Sequence, residues 1–361
     1  MTAASSDTPA TGFRYAIHKQ AILCTIPAQT HDPTADPERK KIPLKYPGEI
    51  SENYKKRSTL RPLSTRAAPE GITMLTAEEL VKNCTKLFTL PEVYLQVKKV
   101  IDNPDSTMAD LSRAISIDPG MTVAVLKLVN SAFYAMPRKV ETISRAVGIL
   151  GMQPLHDLTL AISVTKTFSG LNQHVMSMSI YWSNSFFSGL VARELARKCF
   201  LVDSERMFVE GLLRDIGHLL LYEQLPEPSE QVLRESAKDG SPVHILEQQL
   251  LGFDYTEVGQ TLIEEWQLPK NFGIAIRYQN NPSGTSEHGF EAALLNMASA
   301  LTEGFQSPKG HAQWQNLVAP ESWKLTGLDE EGLQECMLEA GKQLSGMLTL
   351  MEEARLPVAA S

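Results

Sequence analysis

Phe208-Val-Glu-Gly-Leu-Leu-Arg-Asp-Ile-Gly-His-Leu-Leu-Leu221 is the stretch on which the reading of this 361-residue chain turns. Leu212, Leu213, Ile216, Leu219 and Leu220 recur at helical spacing, which predicts one apolar helical face through the stretch. Arg214 and Asp215 interrupt it. A charged pair inside an apolar helix is costly unless it is satisfied or faces a cleft. The pair is therefore the first candidate for a site.

The pattern stays helical on both sides of it. Upstream, Thr76 and Glu79 form a capping box for a helix over 77–88. Leu90-Pro91 opens a second helix, and Ser106 or Thr107 caps a third that runs to about Ile117. Asp118-Pro119 then breaks and restarts the chain, with proline at the favoured first helical position. A short helix over 144–150 ends at Gly151, another runs over 155–168, and Tyr181-Trp182 begins the next. Downstream, Pro242 opens a helix that ends at Gly252. The run 255–259 leads to Trp266-Gln-Leu-Pro269, and a helix over 272–278 follows. Beyond a Gly/Ser/Pro-rich turn, 290–305 and 328–353 carry two more helical patterns. No alternating strand pattern and no Gly-rich phosphate loop follows residue 70, so the chain reads as all-α.

Residues 1–72 read differently. Pro9, Pro27, Pro33, Pro37, Pro43, Pro47 and Pro62 interrupt every helix there, and a short strand over 21–26 has nothing to pair with. The region reads as a largely disordered, Pro-rich, partly basic extension. A domain over 76–281 follows it, with a C-terminal helical extension over 286–355 packing on that core. Residues 1–66 hold 11 Lys/Arg against 6 Asp/Glu, net +5; the whole chain carries −8, which leaves −13 for the rest. An acidic body repels a phosphate backbone, which argues against nucleic acid as a partner of the main domain. The basic runs at 39–41 and 55–57 read as solvating a linker. No apolar run approaches the roughly 18–20 residues that span a bilayer, and the first residues lack the basic and apolar regions of a signal peptide. Cys24, Cys84, Cys199 and Cys336 form no CxxC pair. The expectation is a cytoplasmic protein with no membrane contact, no disulfide framework and no zinc knuckle.

Four ordered blocks give the sequence a recognisable text: Leu90-Pro91, Asp118-Pro119, Leu126-Lys-Leu-Val-Asn-Ser-Ala-Phe-Tyr134 and Ile143-Ser-Arg-Ala-Val-Gly-Ile-Leu-Gly151. Together with the Arg214-Asp215 stretch and Trp266 to Pro269, they resemble the HDOD family (HD-related output domain). That family is a branch of the HD superfamily of metal-dependent phosphohydrolases with eroded metal ligands. The resemblance covers roughly residues 82–281 and implies an HD-like multi-helix bundle. Its motif residues Pro91, Asp118, Pro119, Asn130, Ser131, Ala132, Gly151, Trp266 and Pro269 read as structural. Asn130 would cap or bridge helices, while Ser131 and Ala132 permit close packing.

Phosphohydrolysis in the superfamily needs neutral imidazoles and carboxylates converging on divalent metals. Carried over one at a time, those positions fall at Asn184, Arg214, Asp215, Tyr255, Gln279 and Asn280. Every imidazole is replaced and only Asp215 survives. Arg214 brings a permanent positive charge that repels a cation and neutralises Asp215. No two of the eight histidines fall at a helical metal-pair spacing. His156-Asp157 reads as a solvent-facing or capping pair, and His218 as a hydrogen-bonded structural residue sharing the face of Arg214.

The resemblance therefore implies a non-enzymatic bacterial signal-transduction protein, without a cofactor, whose scaffold binds signalling proteins. A second reading is a small-ligand sensor. In it Asn184, Arg214, Asp215, Tyr255 and Gln279 converge, and Arg214 grips a phosphate of a nucleotide or cyclic dinucleotide. A working phosphodiesterase is the third and needs a metal site that these residues do not supply.

Overall fold

The computed structural model describes residues 75–354 except 85–87, 132, 172–174 and 307–313. The proposed extension over 1–72, its short strand, its basic runs and Ala132 lie outside the described residues. Among the described residues every regular element is a helix, so the all-α expectation holds.

The first half comprises α1 (Ala77–Cys84), α2 (Glu92–Asp102), α3 (Met108–Ser116), α4 (Pro119–Val129), α5 (Ile143–Leu150) and α6 (Met152–Thr167). Their starts follow from local chemistry. The Thr76 hydroxyl accepts the Glu79 backbone N–H at 3.1 Å, and the Glu79 carboxylate accepts the Thr76 N–H at 3.0 Å. Thr107 and Asp110 repeat that box at α3, and Asp118 caps α4 through the Met121 N–H at 2.8 Å. Helix α6 begins three residues earlier than the 155–168 expectation. Gly151, at φ +89°, turns the chain so sharply that α6 starts at once and carries Pro154 in its first turn. Nearly all of α6 is buried, from Leu155 to Thr165.

The second half comprises α7 (Met178–Lys198), α8 (Ser204–Leu213), α9 (Ile216–Gln224), α10 (Pro226–Asp239), α11 (Val243–Leu251), α12 (Tyr255–Glu265) and α13 (Lys270–Tyr278). Then come α14 (Gly289–Gln306), α15 (Pro320–Thr326) and α16 (Glu330–Ala354). Sequence periodicity misses α10, which buries only Ser229 and Val232, and α15, which is seven residues long. Both open with proline at the first turn. Helix α7 is the central strut, packed by α8 on one side and by α14 and α16 on another.

One expectation is corrected at the deciding stretch. The apolar face does not belong to one helix: α8 ends at Leu213 and α9 starts at Ile216, with Arg214 and Asp215 at the joint. Glycine at 217 permits close packing just beyond the break. A Cβ on Gly217 would lie 2.0 Å from the Tyr255 carbonyl oxygen, so α9 and α12 cross in near backbone contact.

Polar clips fix the motif loops. The Asn130 amide donates to the Leu126 and Val140 carbonyls, each at 2.7 Å, and its oxygen accepts the Val140 N–H at 2.7 Å. Arg193 lies 3.8 Å over the Phe133 ring and donates to Glu205 at 2.8 Å. Trp266 donates its indole N–H to the Phe88 carbonyl at 2.9 Å, tying α12 to the start of the domain. Pro91 and Pro269 stand at the entries of α2 and α13.

Candidate functional site

The α8–α9 joint presents Arg214 toward α7 and α14. Its Nε donates to the Ser188 hydroxyl at 2.7 Å and its Nη1 to the Ser299 hydroxyl at 2.9 Å. The remaining contacts go to Asp215, at 3.0 Å from Nη1 to Oδ1 and 2.7 Å from Nη2 to Oδ2. This is a two-point fork on a carboxylate, the geometry for which guanidinium is suited. Four of the five guanidinium N–H groups are thereby bound within the protein. Gln279 supports the joint from α13, donating to the Arg214 carbonyl at 2.7 Å and the Ile276 carbonyl at 3.0 Å, and is fully buried.

Tyr255 and Asn280 meet beside the joint, the Asn280 amide donating to the Tyr255 hydroxyl at 3.1 Å. Asn184 lies one helical turn before Ser188 on α7, half-buried, and makes no hydrogen bond to the pair. Arg214, Asp215 and Gln279 thus meet at the joint, Tyr255 and Asn280 pair with each other, and Asn184 lies one turn from Ser188. Four further residues belong to the site. Ser188 and Ser299 anchor Arg214 and are small residues in apolar helices, which give no periodic signal. Tyr181 precedes Asn184 by three residues on α7 and is buried. Tyr222 shares the α9 face of Asp215 and His218 at i, i+3 and i+7 spacing.

His218 is held between two rings, stacked on Tyr255 at 4.0 Å and on Tyr222 at 5.3 Å between centroids. Its Nε2 lies 3.2 Å from Glu247 Oε1. Burial pulls the imidazole pKa down, but the Glu247 carboxylate, followed by Asp215, outweighs it and leaves His218 raised. The second Glu247 oxygen accepts the Tyr255 backbone N–H at 2.9 Å. Burial, then the charge of Asp215, raises the hydroxyls of Tyr181 and Tyr255. Tyr222 responds to burial, Glu247 and Asp215 in that order.

His156-Asp157 is not solvent-facing. The two residues are 4% and 2% exposed. The Tyr94 hydroxyl and His156 Nε2 share a hydrogen bond at 3.0 Å, as do His156 Nδ1 and the Asp157 carboxylate at 3.0 Å. This network joins α2 to α6, and its partner 62 residues away is invisible to local reading.

Glu210 was not singled out in the sequence, yet it is fully buried one turn before Arg214, with one oxygen near the Asn271 amide at 3.3 Å and the other without a partner. Burial, then Glu291, pushes its carboxyl well above the ordinary value of 4.5. The folded state thus holds a proton that the unfolded chain gives up above that value, so stability falls as pH rises through this window. Glu210→Gln removes the loss. The expected result is a higher melting temperature than wild type above pH 6, by at least ~2 °C for each ~1 kcal/mol recovered, with the difference closing below pH 4. Parallel melting curves at all pH values would contradict it.

The residues present do not fit the divalent metals of the HD superfamily. Of the superfamily donor positions only Asp215 is a carboxylate, and both its oxygens accept from Arg214. Among the described residues no group of three or more His, Cys, Asp and Glu side chains is arranged to hold a metal.

With this geometry in hand, comparison with known proteins places the chain. The HDOD domain family matches residues 87–282, more than half of the sequence, and the chain belongs to that family. A candidate phosphohydrolase from Shewanella amazonensis SB2B is similar in structure, with TM-score 0.59 and 29% identity over 75% of this chain and 99% of that one. A candidate signal transduction protein from Marinobacter aquaeolei VT8 shares the fold with TM-score 0.60 and 23% identity, over 84% of this chain and 65% of that one. An uncharacterised protein of Treponema pallidum (strain Nichols) is 25% identical over 257 residues. That match takes in 68% of this chain and 49% of the relative, so the chain spans about half the length of the curated relative it matches. No helix among the described residues is long and apolar enough to cross a membrane.

Proposed function

We propose that this chain is a non-catalytic, cytoplasmic regulatory protein of bacterial signal transduction, and that its helical scaffold binds protein partners. The observation that supports it most is the closed Arg214–Asp215 fork. The one surviving superfamily carboxylate is neutralised from within by a cation that cannot leave. A chain that had merely lost affinity for its metals would not need Ser188 and Ser299 to hold a guanidinium in their place. HDOD membership supports the regulatory setting.

The test pairs chemistry with capture. Purified full-length protein, incubated with Mn, Fe or Ni and a chromogenic phosphodiester, should hydrolyse no more than Asp215→Ala does. Crosslinked affinity purification from the native host should recover a reproducible set of signalling proteins. Stoichiometric bound metal with hydrolysis lost in Asp215→Ala would sink the reading.

A small-ligand sensor is the second reading, favoured by the 20% exposure of the Asp215 side chain. The phosphate grip by Arg214 is the weakest part of that reading, because its N–H groups point inward. A cleft ligand would meet Asp215 first.

A further inference from the structure

We propose that α10 and α11 form a proton-controlled flap, pinned to the body of the domain through the His218–Glu247 pair and released when His218 gives up its proton.

The arm is thinly attached. Across 226–251 the buried residues are Ser229, Val232, Ser241, Leu246 and Glu247. Val232 and Leu246 are the apolar ones, and neither belongs to the contiguous apolar core of the domain. Leu225 and Leu251, at the two ends of the arm, do pack against that core. Gly240 and Gly252 end the two helices in the left-handed region, at φ +76° and +86°. A helical hairpin anchored at its ends, with little apolar burial along its length, opens at a lower cost than the core around it.

Glu247 fastens the middle of the arm. Its side chain is 3% exposed, and both oxygens are engaged. Oε2 accepts the Tyr255 N–H at the start of α12 at 2.9 Å, and Oε1 lies 3.2 Å from His218 Nε2 on α9. One carboxylate on the arm thus meets two helices of the body, which cross each other in near backbone contact at Gly217. The rings of Tyr222 and Tyr255 hold His218 between them, so the imidazole stays with the body when the arm departs.

The pin depends on charge. His218 faces Glu247 and His244 from α11, Tyr255 from α12, Asp215 and Arg214 from the α8–α9 joint, and Tyr222 on its own helix. Burial and Arg214 oppose the imidazolium; Glu247, followed by Asp215, favours it and prevails. A value raised above the ordinary 6.5 gives stability that is complete below 6.5 and fades as pH rises through the native one. Neutral His218 leaves a buried Glu247 carboxylate without its cation, and opening the arm returns that carboxylate to water. His244 works in another window, because burial lowers its value and its protonation belongs below 6.5.

Amide hydrogen exchange on the full chain tests this, followed from about pH 6 to about pH 9 with rates corrected for the intrinsic effect of hydroxide. Opening across 226–251 should rise about tenfold, the ratio produced when the closed arm holds the proton ten times more tightly than the open one. The rise should persist in His244→Gln and disappear in His218→Gln and in Glu247→Gln, whose amide oxygen can still accept the Tyr255 N–H. Glu210→Gln removes the global effect of pH described above; in that background the arm should still respond while α6 stays constant. A flat profile for the arm in the unaltered chain overturns the proposal, and so does a rise that Glu247→Gln keeps. An equal rise in α6 in the Glu210→Gln background also overturns it, since the opening would then be global. The unaltered and Glu210→Gln chains decide the matter even if a variant at the pin fails to fold.

Discussion

Gly217→Ala should lower the melting temperature by roughly 6–12 °C, the shift corresponding to ~3 kcal/mol in a domain of this size. The added methyl would lie 2.0 Å from the Tyr255 carbonyl oxygen and 2.8 Å from the Gly259 nitrogen. Both are backbone atoms at the start and middle of α12, so no rotamer change can relieve the overlap. The two helices must separate by more than an ångström, and the buried faces carrying Ile216, Leu220, Val258 and Leu262 separate with them. Overpacking usually costs about 1–3 kcal/mol, and a backbone clash belongs at the upper end or above it. Gly148→Ala serves as the control, since a Cβ there meets nothing within 4 Å. Equal melting temperatures for the two variants would show that the α9–α12 crossing is looser than described.

Arg214→Ala is the second large expected effect, at about 3 kcal/mol. Removing one member of a buried pair usually costs about 3–5 kcal/mol because the other charge is left without compensation. The lower end applies here because Asp215 keeps some contact with water. Ser188 and Ser299 also lose their donor. The measurement is urea unfolding of Arg214→Ala against the double variant Arg214→Met/Asp215→Leu. The double variant should regain most of the loss, since exchanging both charges for apolar groups leaves nothing stranded. Arg214→His, which recreates the His-Asp dipeptide, should bind no stoichiometric metal, because Asn184, Tyr255, Gln279 and Asn280 still lack imidazoles. If the single variant melts like wild type, Arg214 does not hold the joint together.

Much of this was legible in the sequence, for a physical reason. Helices with a strong apolar period and a local cap announce themselves, as at Thr76, Thr107 and Asp118. Arg214 and Asp215 were legible because charges stand out in an apolar helix, whereas Asn184, Tyr255, Gln279 and Asn280 were legible only through the family resemblance. The break after Leu213 was not. Leu212, Leu213, Ile216 and Leu219 keep helical spacing across it, and a joint of two residues scarcely disturbs the period. The partners of Arg214 were hidden because serine in a helix carries no signal. The burial of His156 depends on Tyr94, a contact that no local pattern reports. Helix α10 was missed for the opposite reason: it lies half in water and buries too little to show a period.

Ser299 carries one last consequence. It belongs to α14, beyond the residues matched by the family, yet it supplies one of the bonds that hold Arg214. Helix α14 also buries Leu294, Leu295, Ala298 and Leu301 completely, and Gln343 of α16 reaches Glu194 of α7 at 3.3 Å. A polypeptide cut after residue 282 would therefore be severed through its own interior. The packed interior thus continues past the residues that the family matches, and domain-swap engineering should carry α14 and α16 along with them.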